Sequence, residues 1–111
     1  MLHLRPLAIG LLALASFAVT SAMADPAAGK LVFERRCAEC HGPGFGHPGT
    51  QQLGWTRGVD HAVLERRSDL TAAYINLVVR NGLMEMPAFR PTEISDAQLQ
   101  QLDAYLSSKT Q

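Results

Sequence analysis

The chain has 111 residues, with 10 basic and 10 acidic side chains and no net formal charge. This length is enough for one domain. With this balance, nothing in the composition indicates the strongly basic face that nucleic-acid binding requires, so we expect no nucleic-acid partner.

The first 24 residues have the composition of a secretory signal peptide. Arg5 lies near the start with no acidic residue beside it, residues 11–20 form an apolar run, and residues 22–24 have the small-x-small pattern of a signal-peptidase site. A membrane anchor is the alternative, but the apolar run is too short for a span and no basic segment follows it. We therefore predict a signal peptide over residues 1–24, cleaved on export, and one mature domain over residues 25–111 with no membrane span.

Three segments of the mature chain have helical patterns, and the first covers residues 26–40. Asp25 is a good N-cap, and Pro26 suits the first turn of a helix. Gly29 weakens a helix, so its presence indicates that another element crosses closely at this point.

The second helical segment covers residues 70–81. Ser68 or Asp69 can cap its start, and Asn81-Gly82 is a typical helix end. Its apolar face, at i, i+3 and i+4 spacing, is predicted to consist of Tyr74, Leu77 and Val78.

The third segment, residues 96–107, begins with a capping box formed by Ser95 and Gln98. Between the helices, residues 42–67 and 83–94 are rich in Gly, Pro and Thr and have no strand pattern. Irregular loops of this length are uncommon in a compact domain unless they are functional. We therefore predict an all-α fold of three main helices, with long loops wrapped around something large.

Cys37-Ala38-Glu39-Cys40-His41 is the strongest chemical signal in the chain. The C-x-x-C-H pattern is the attachment signature of c-type haem. Two cysteines at this spacing can form thioethers with the two haem vinyl groups, and the following histidine can bind the iron. We predict one covalent haem c, attached through Cys37 and Cys40, with His41 as an axial ligand.

Three alternatives exist for the cysteine pair. A thioredoxin-like redox pair requires a βαβ context, and no strand precedes the motif. A closed zinc site requires four ligands, and the chain has no second cysteine pair or paired-histidine cluster. A plain disulfide suits an exported domain, but the histidine directly after the motif and the later Met-Pro pair favour haem.

The second axial ligand is expected from the loop after the second helix, where Met86 precedes Pro87. A thioether sulfur suits low-spin haem iron and raises its reduction potential, and the proline stiffens the loop. The alternative for a lone methionine is a core filler. Met84 is the next candidate, and the histidines come last, because His47 is expected near the surface beside the attachment motif and His61 lies in a polar stretch.

With CAECH, the late MPAF and the terminal LQQLDAYL, the chain resembles class I cytochromes c over almost all of residues 26–108. The run VVRNGLMEMPAF followed by ISDAQLQQLDAYLSS is similar to the small cytochrome subunit of p-cresol methylhydroxylase-type flavocytochromes. In that family a covalent-flavin dehydrogenase, acting on 4-alkylphenols or related 4-hydroxybenzylic substrates, passes electrons to the cytochrome. The resemblance implies a periplasmic electron carrier, not an enzyme, whose donor is a flavoprotein dehydrogenase.

The resemblance also implies how the first and last helices meet. Gly29 and Phe33 match the first-helix positions that cross the last helix near Tyr105 and Leu106.

Further roles are implied for the segment after the attachment motif. Pro48 matches the loop proline whose carbonyl accepts the ring N–H of the axial histidine, with Pro43 as the fallback. This chain departs from shorter family members in residues 50–67. In that stretch Trp55 and Arg57 are reasonable donors to a haem propionate, while a packing tryptophan beside a solvated arginine is the equal alternative.

Other functions stay open from the sequence alone. A free carrier would serve a quinoprotein dehydrogenase or a terminal oxidase, with a downstream cytochrome, copper protein or oxidase as acceptor. A haem sensor or enzyme would need an open sixth position, and a haem-free redox module would use a disulfide.

In a carrier, an apolar shell excludes water from the haem, and its expected members are Phe33, Tyr74, Leu77, Phe89 and Leu102.

Overall fold

A computed structural model describes Met1 and residues 23–108, and in this part of the chain it contains five α-helices and no strands. The helices are α1 (Pro26–Arg36), α2 (Ala38–His41), α3 (Pro48–Arg57), α4 (Ala72–Asn81) and α5 (Asp96–Ser107). Two 3-10 helices, Val59–His61 and Leu64–Arg66, connect α3 to α4. The predicted all-α class is confirmed.

Almost all of the predicted signal peptide lies outside the described residues, and no helix in the described part is long and apolar enough to cross a membrane.

The close crossing predicted at Gly29 is present, and the element that crosses α1 is α5. A Cβ atom at Gly29 would lie 1.9 Å from the Gln101 carbonyl oxygen and 2.8 Å from the Tyr105 Cβ. One turn later Phe33 is buried, and its ring centroid lies 6.1 Å from that of Tyr105 at an interplanar angle of 57°. Tilted aromatic pairs at this distance add to the stability gained from burial.

The core lies where α1, α4 and α5 meet the segments on either side of α4. Its most completely buried side chains are Phe33, Ile94 and Leu102. The full cluster comprises Val32, Phe33, Leu70, Ile75, Val79, Ile94, Leu99, Leu102 and Leu106. Ile94 comes from the loop before α5, so this loop is part of the packed interior and does not simply cover it.

The first predicted helix is interrupted, because α1 ends at Arg36 and not at residue 40. Cys37 has a φ angle of −121°, and its carbonyl accepts hydrogen bonds from the amides of Cys40 at 3.1 Å and His41 at 2.8 Å. These bonds begin the one-turn helix α2. The break at Cys37 could not be predicted from the sequence, because no proline or glycine marks it.

The prediction of an irregular loop over residues 42–67 was wrong, because this stretch contains α3 and both 3-10 helices. Pro48 occupies the first turn of α3, and Gly58 ends it with a φ of 90°. This arrangement of proline at the start and glycine after the end is a helix signal that could have located α3. Gly54 and Thr56 within the segment hide the helical pattern, because both residue types have low helix propensity.

Helix α4 begins at Ala72, two residues later than predicted, and its cap is Thr71 in place of Ser68 or Asp69. The Thr71 side chain accepts a hydrogen bond from the Tyr74 amide at 3.2 Å. Asp69 instead accepts two hydrogen bonds from buried Arg67, at 2.8 and 2.6 Å.

The apolar face predicted for α4 is not the face that packs into the core. Ile75 and Val79 are buried, whereas Tyr74 is 37% exposed and Leu77 is 60% exposed. Val78 is half-buried. Both sets of positions have helical spacing, so periodicity alone could not distinguish them. Helix α5, in contrast, has the predicted limits, and both hydrogen bonds of its Ser95–Gln98 capping box are present.

The α1–α5 crossing generates a stability prediction. We expect Gly29→Ala to lower the free energy of unfolding by about 2 kcal/mol or more, because the methyl group overlaps the α5 backbone. The matched control is Gly54→Ala, whose Cβ would make an ordinary 3.5 Å contact with Ala62. That change should stabilise helix α3 by about 0.5–1 kcal/mol. Urea unfolding followed by circular dichroism tests both, and midpoint shifts of the same sign would contradict the prediction.

Candidate functional site

The C-x-x-C-H motif occupies the junction between α1 and α2. Cys37 is half-buried and packs against the core cluster, whereas Cys40 is exposed, and the two thiols are not joined in a disulfide. Burial, with a further contribution from Cys40, raises the pKa of the Cys37 thiol to about 11. No strand precedes the motif in the described residues, so the βαβ context of a thioredoxin-like redox pair is not found there.

The zinc alternative lacks a ligand set in the described residues. Nowhere between residues 23 and 108 are three or more His, Cys, Asp or Glu side chains grouped so that they could hold a metal ion.

His41 ends α2 and is half-buried. Its Nδ1 atom is fully buried and has no hydrogen-bond partner among the described residues. The predicted hydrogen bonds to the carbonyl of Pro48, or of Pro43 as the fallback, are therefore absent. Burial also lowers the pKa of His41, which favours the neutral imidazole, the form that binds metals.

The start of α3 packs directly on the His41 ring. A Cβ atom at Gly49 would lie 2.7 Å from His41 Cε1 and 2.8 Å from the Cys40 carbonyl oxygen. Pro48 is thus next to a residue that touches the ring, although its carbonyl makes no bond to it. The close approach fixes the orientation of the imidazole by packing and excludes any larger residue at position 49.

The loop between α2 and α3 is held to the motif by two hydrogen bonds. The buried Thr50 hydroxyl donates to the Gly42 carbonyl at 2.7 Å, and His47 Nδ1 lies 3.0 Å from the Glu39 carbonyl. His47 therefore lies beside the attachment motif, as the sequence predicted, and it is half-buried. His61 is exposed in its 3-10 helix.

Met86 closes a tight turn directly after α4. Its amide donates to the Leu83 carbonyl at 2.9 Å, and the Leu83 amide donates to the Met86 carbonyl at 3.1 Å. Gly82 has a φ of 74°, and a Cβ there would lie 2.6 Å from the Met86 carbonyl oxygen. The Met86 side chain is half-buried against the core cluster, whereas Met84 is 81% exposed at the tip of the turn with a φ of 53°.

Comparison with known proteins identifies the family. The family model described as cytochrome C oxidase, cbb3-type, subunit III matches residues 24–106. The chain belongs to the class I c-type cytochromes. The cytochrome matches no solved structure significantly.

Two curated relatives are similar to the cytochrome. The cytochrome c subunit of 4-cresol dehydrogenase (hydroxylating) from Pseudomonas putida is 39% identical over 80 residues, which are 72% of this chain and 58% of that relative. Cytochrome c6 of Leptolyngbya boryana is 34% identical over 88 residues, which are 79% of this chain and 96% of that relative. Family membership and these relatives give the cytochrome its cofactor, haem c, and its role as an electron carrier and not an enzyme.

The residues present fit this cofactor. One helical turn carries two thiols outside any disulfide and a histidine whose Nδ1 atom is buried without a partner in the described residues, and α4 exposes the apolar side chains of Tyr74 and Leu77 at its surface. An apolar macrocycle requires such a surface. Of the predicted shell, Phe33 and Leu102 are buried in the core and Phe89 is half-buried.

Trp55 and Arg57 lie on α3, the helix that packs against α2. Trp55 is 79% exposed and Arg57 is also exposed. Within the chain, the tryptophan is therefore not a buried packing residue, and donation to a propionate stays a prediction for both side chains.

Gly49→Ala tests whether packing on His41 sets the haem environment. The methyl group would overlap the imidazole, so we expect the ferric absorption spectrum of the haem-loaded protein to shift toward high-spin features. Gly54→Ala, in the same helix but away from the ring, should leave the spectrum unchanged. If both variants retain the wild-type spectrum, the ring either does not bind the iron or is not positioned by α3.

Proposed function

We propose that the protein transfers single electrons with a haem c held by Cys37 and Cys40 through thioethers, and with His41 and Met86 as axial ligands. Bound haem c supplies an iron that alternates between the ferrous and ferric states. The observation that supports this proposal most directly is the α1–α2 junction, where a half-buried cysteine, an exposed cysteine and a half-buried histidine with a buried Nδ1 atom share one helical turn. With His41 and Met86 both bound to the iron, no position would remain there for a substrate.

The two methionines of the turn differ in a way that favours Met86 as the ligand. Met86 packs against the core and is held by two backbone hydrogen bonds, so its sulfur has a defined position. Met84 is exposed and lies at the tip of the turn. Pro87 directly after Met86 restricts the backbone that presents the sulfur.

Met86→Ala is the decisive variant for this ligand. We expect the ferric protein to lose the weak red-edge band of methionine–iron charge transfer, and the ferrous protein to bind carbon monoxide. The reduction potential should fall by on the order of 0.1 V or more, because a thioether ligand raises it. Met84→Ala is the matched control and should retain the wild-type spectrum. A wild-type protein without the band, or one that binds carbon monoxide at once, would refute ligation by Met86 and favour a sensor or enzyme.

We further propose a flavoprotein dehydrogenase of the 4-alkylphenol-oxidising type as the electron donor. Support comes from the relative that is a subunit of 4-cresol dehydrogenase, although the alignment covers 58% of that relative. The small number of lysines also favours a stable subunit contact over transient electrostatic docking. The predicted mature chain has two lysines, Lys30 and Lys109, so docking on a strongly basic patch is disfavoured. A downstream cytochrome, copper protein or oxidase would accept the electrons.

Reconstitution tests the donor. The oxidised cytochrome is mixed anaerobically with a flavoprotein dehydrogenase of this type and 4-cresol, and haem reduction is followed by its absorption bands. We expect reduction that requires both flavoprotein and 4-cresol, and co-elution of the two proteins in gel filtration. A cytochrome that ascorbate reduces, but that the flavoprotein neither reduces nor binds, would refute this donor.

A free carrier for a quinoprotein dehydrogenase or terminal oxidase is the second candidate. The observation in its favour is the similarity to cytochrome c6, which extends over 96% of that relative. Gel filtration and kinetics distinguish this candidate. A free carrier should elute as a monomer, form no stable complex with its donor, and still accept electrons rapidly from that donor at micromolar concentration.

We propose that the cytochrome is periplasmic and that residues 1–24 are a signal peptide cleaved on export. The family match begins at residue 24, and Asp25 caps α1 by accepting a 2.9 Å hydrogen bond from the Ala27 amide. Cleavage between residues 24 and 25 would therefore leave the cap intact. Intact-mass analysis of the periplasmic fraction should give the 87 residues that remain when 24 are removed from 111, plus one haem. A retained N-terminus would contradict this assignment.

A further inference from the structure

Arg80, in the last turn of α4, makes a set of hydrogen bonds that electron transfer by itself does not require. Its Nη1 atom donates to the carbonyl oxygens of Phe89 at 3.0 Å and Ile94 at 2.9 Å. Its Nη2 atom donates to Asp96 Oδ1 at 2.6 Å. The Arg80 side chain is 23% exposed and its two bonds to carbonyl groups are partly shielded from water, whereas the bond to Asp96 is exposed.

These acceptors lie along one segment, the loop that leaves α4 and returns as α5. Phe89 and Ile94 are within the loop, and Asp96 is the first residue of α5. A backbone bond from the Phe89 amide to the Val79 carbonyl, at 2.8 Å, lies beside them. The far end of the loop is thus tied to the last turn of α4 through Arg80 and Val79.

The near end of the same loop is closed by the paired bonds between Leu83 and Met86. Met86 therefore lies between two points of attachment, three residues before Phe89. Pro87 limits the backbone between those points, so movement of Phe89 away from α4 would displace Met86. Because the loop has no regular secondary structure, its position depends on these bonds and on the burial of Ile94.

The chemistry of the three bonds is specific to arginine. A guanidinium group is planar and carries five N–H donors, so it can bind two carbonyls on one side and a carboxylate on another. A lysine ammonium is a compact charge on a flexible stem and cannot hold the same acceptors in a fixed plane. Glutamine retains a donor but has neither the reach nor the charge.

We propose that Arg80 is a positioning residue that keeps the loop closed and so holds the Met86 sulfur at the iron. This inference rests on the proposed ligation by Met86. The protein exchanges between a closed loop and a rare open loop in which the sulfur has left the sixth position. Arg80 lowers the open population, since all of its bonds to the loop must break before the loop can move.

Binding of imidazole to the ferric protein measures this population. Imidazole binds only when Met86 has left, so its apparent dissociation constant is the intrinsic constant divided by the open fraction. In Arg80→Gln we expect the apparent constant to fall by roughly tenfold or more, because several charge-assisted bonds to the loop are lost. Arg80→Lys should give a smaller fall, since it retains the charge without the planar donor set.

The matched control is Arg90→Gln, which makes the same substitution at an arginine within the loop itself. The Arg90 side chain is 79% exposed, and its guanidinium lies 3.4 Å from the carboxylate of Glu93, a neighbour in the loop itself. We expect its imidazole affinity to stay within twofold of the wild type. Thermal unfolding of each variant is measured in parallel, because a merely structural role would lower the midpoint without changing imidazole affinity at 25 °C.

The outcomes separate this inference from the proposal on which it rests. A wild-type ferric protein without the methionine–iron band would refute ligation by Met86 itself. If the band is present but Arg80→Gln binds imidazole no better than Arg90→Gln, Met86 is a ligand and the role assigned to Arg80 is wrong. If Arg80→Gln does not yield haem-loaded protein, the imidazole affinities of Arg80→Lys and Arg90→Lys are compared instead. Equal affinities would overturn the inference.

Discussion

The crossing of α1 and α5 is the contact on which the rest of the fold depends. At Gly29 the two backbones approach so closely that no side chain fits between them. This contact brings Phe33 against Tyr105 and buries it at the centre of the core. Because α1 is fixed along its length, its end has a defined position, and Cys37 packs on the same core that Met86 contacts. The attachment motif and the candidate ligand loop therefore share one rigid support.

The loop between α2 and α3 and the loop between α4 and α5 are each held in place by a side chain that donates hydrogen bonds to backbone carbonyl groups. Thr50 on α3 binds the Gly42 carbonyl beside the attachment motif, and Arg80 on α4 binds the Phe89 and Ile94 carbonyls after the Met86 turn. Carbonyl groups in irregular segments have no helical partners, so side chains on neighbouring helices must satisfy them. We expect loops fixed in this way to keep their structure when the protein is oxidised or reduced. Electron transfer benefits, because small rearrangement between oxidation states keeps the barrier low.

The features that could be predicted from sequence are those whose signals are contained within a few residues. The capping box of Ser95 and Gln98 specifies the start of α5, and Asp25 with Pro26 specifies the start of α1. The absence of strand patterns predicts the all-α class, and the C-x-x-C-H motif predicts the cofactor, which the family comparison supports. Even the close crossing was indicated locally. Glycine at position 29 destabilises the helix relative to alanine, so its presence indicates a neighbouring element that leaves no room for a side chain.

Tertiary structure decided the features for which the sequence offers two equivalent local solutions. Helix α4 has two apolar stripes, and packing against α5 selected Ile75 and Val79 for the core while leaving Leu77 at the surface. The break at Cys37 and the approach of Gly49 to the histidine ring likewise depend on residues distant in sequence or on packing around them. The sequence by itself determined the caps of α1 and α5 and the fold class, and it predicts the attachment chemistry, because these depend on local hydrogen bonds and covalent spacing. The selection of buried faces and the placement of loops required the assembled core, because burial is a property of the whole domain.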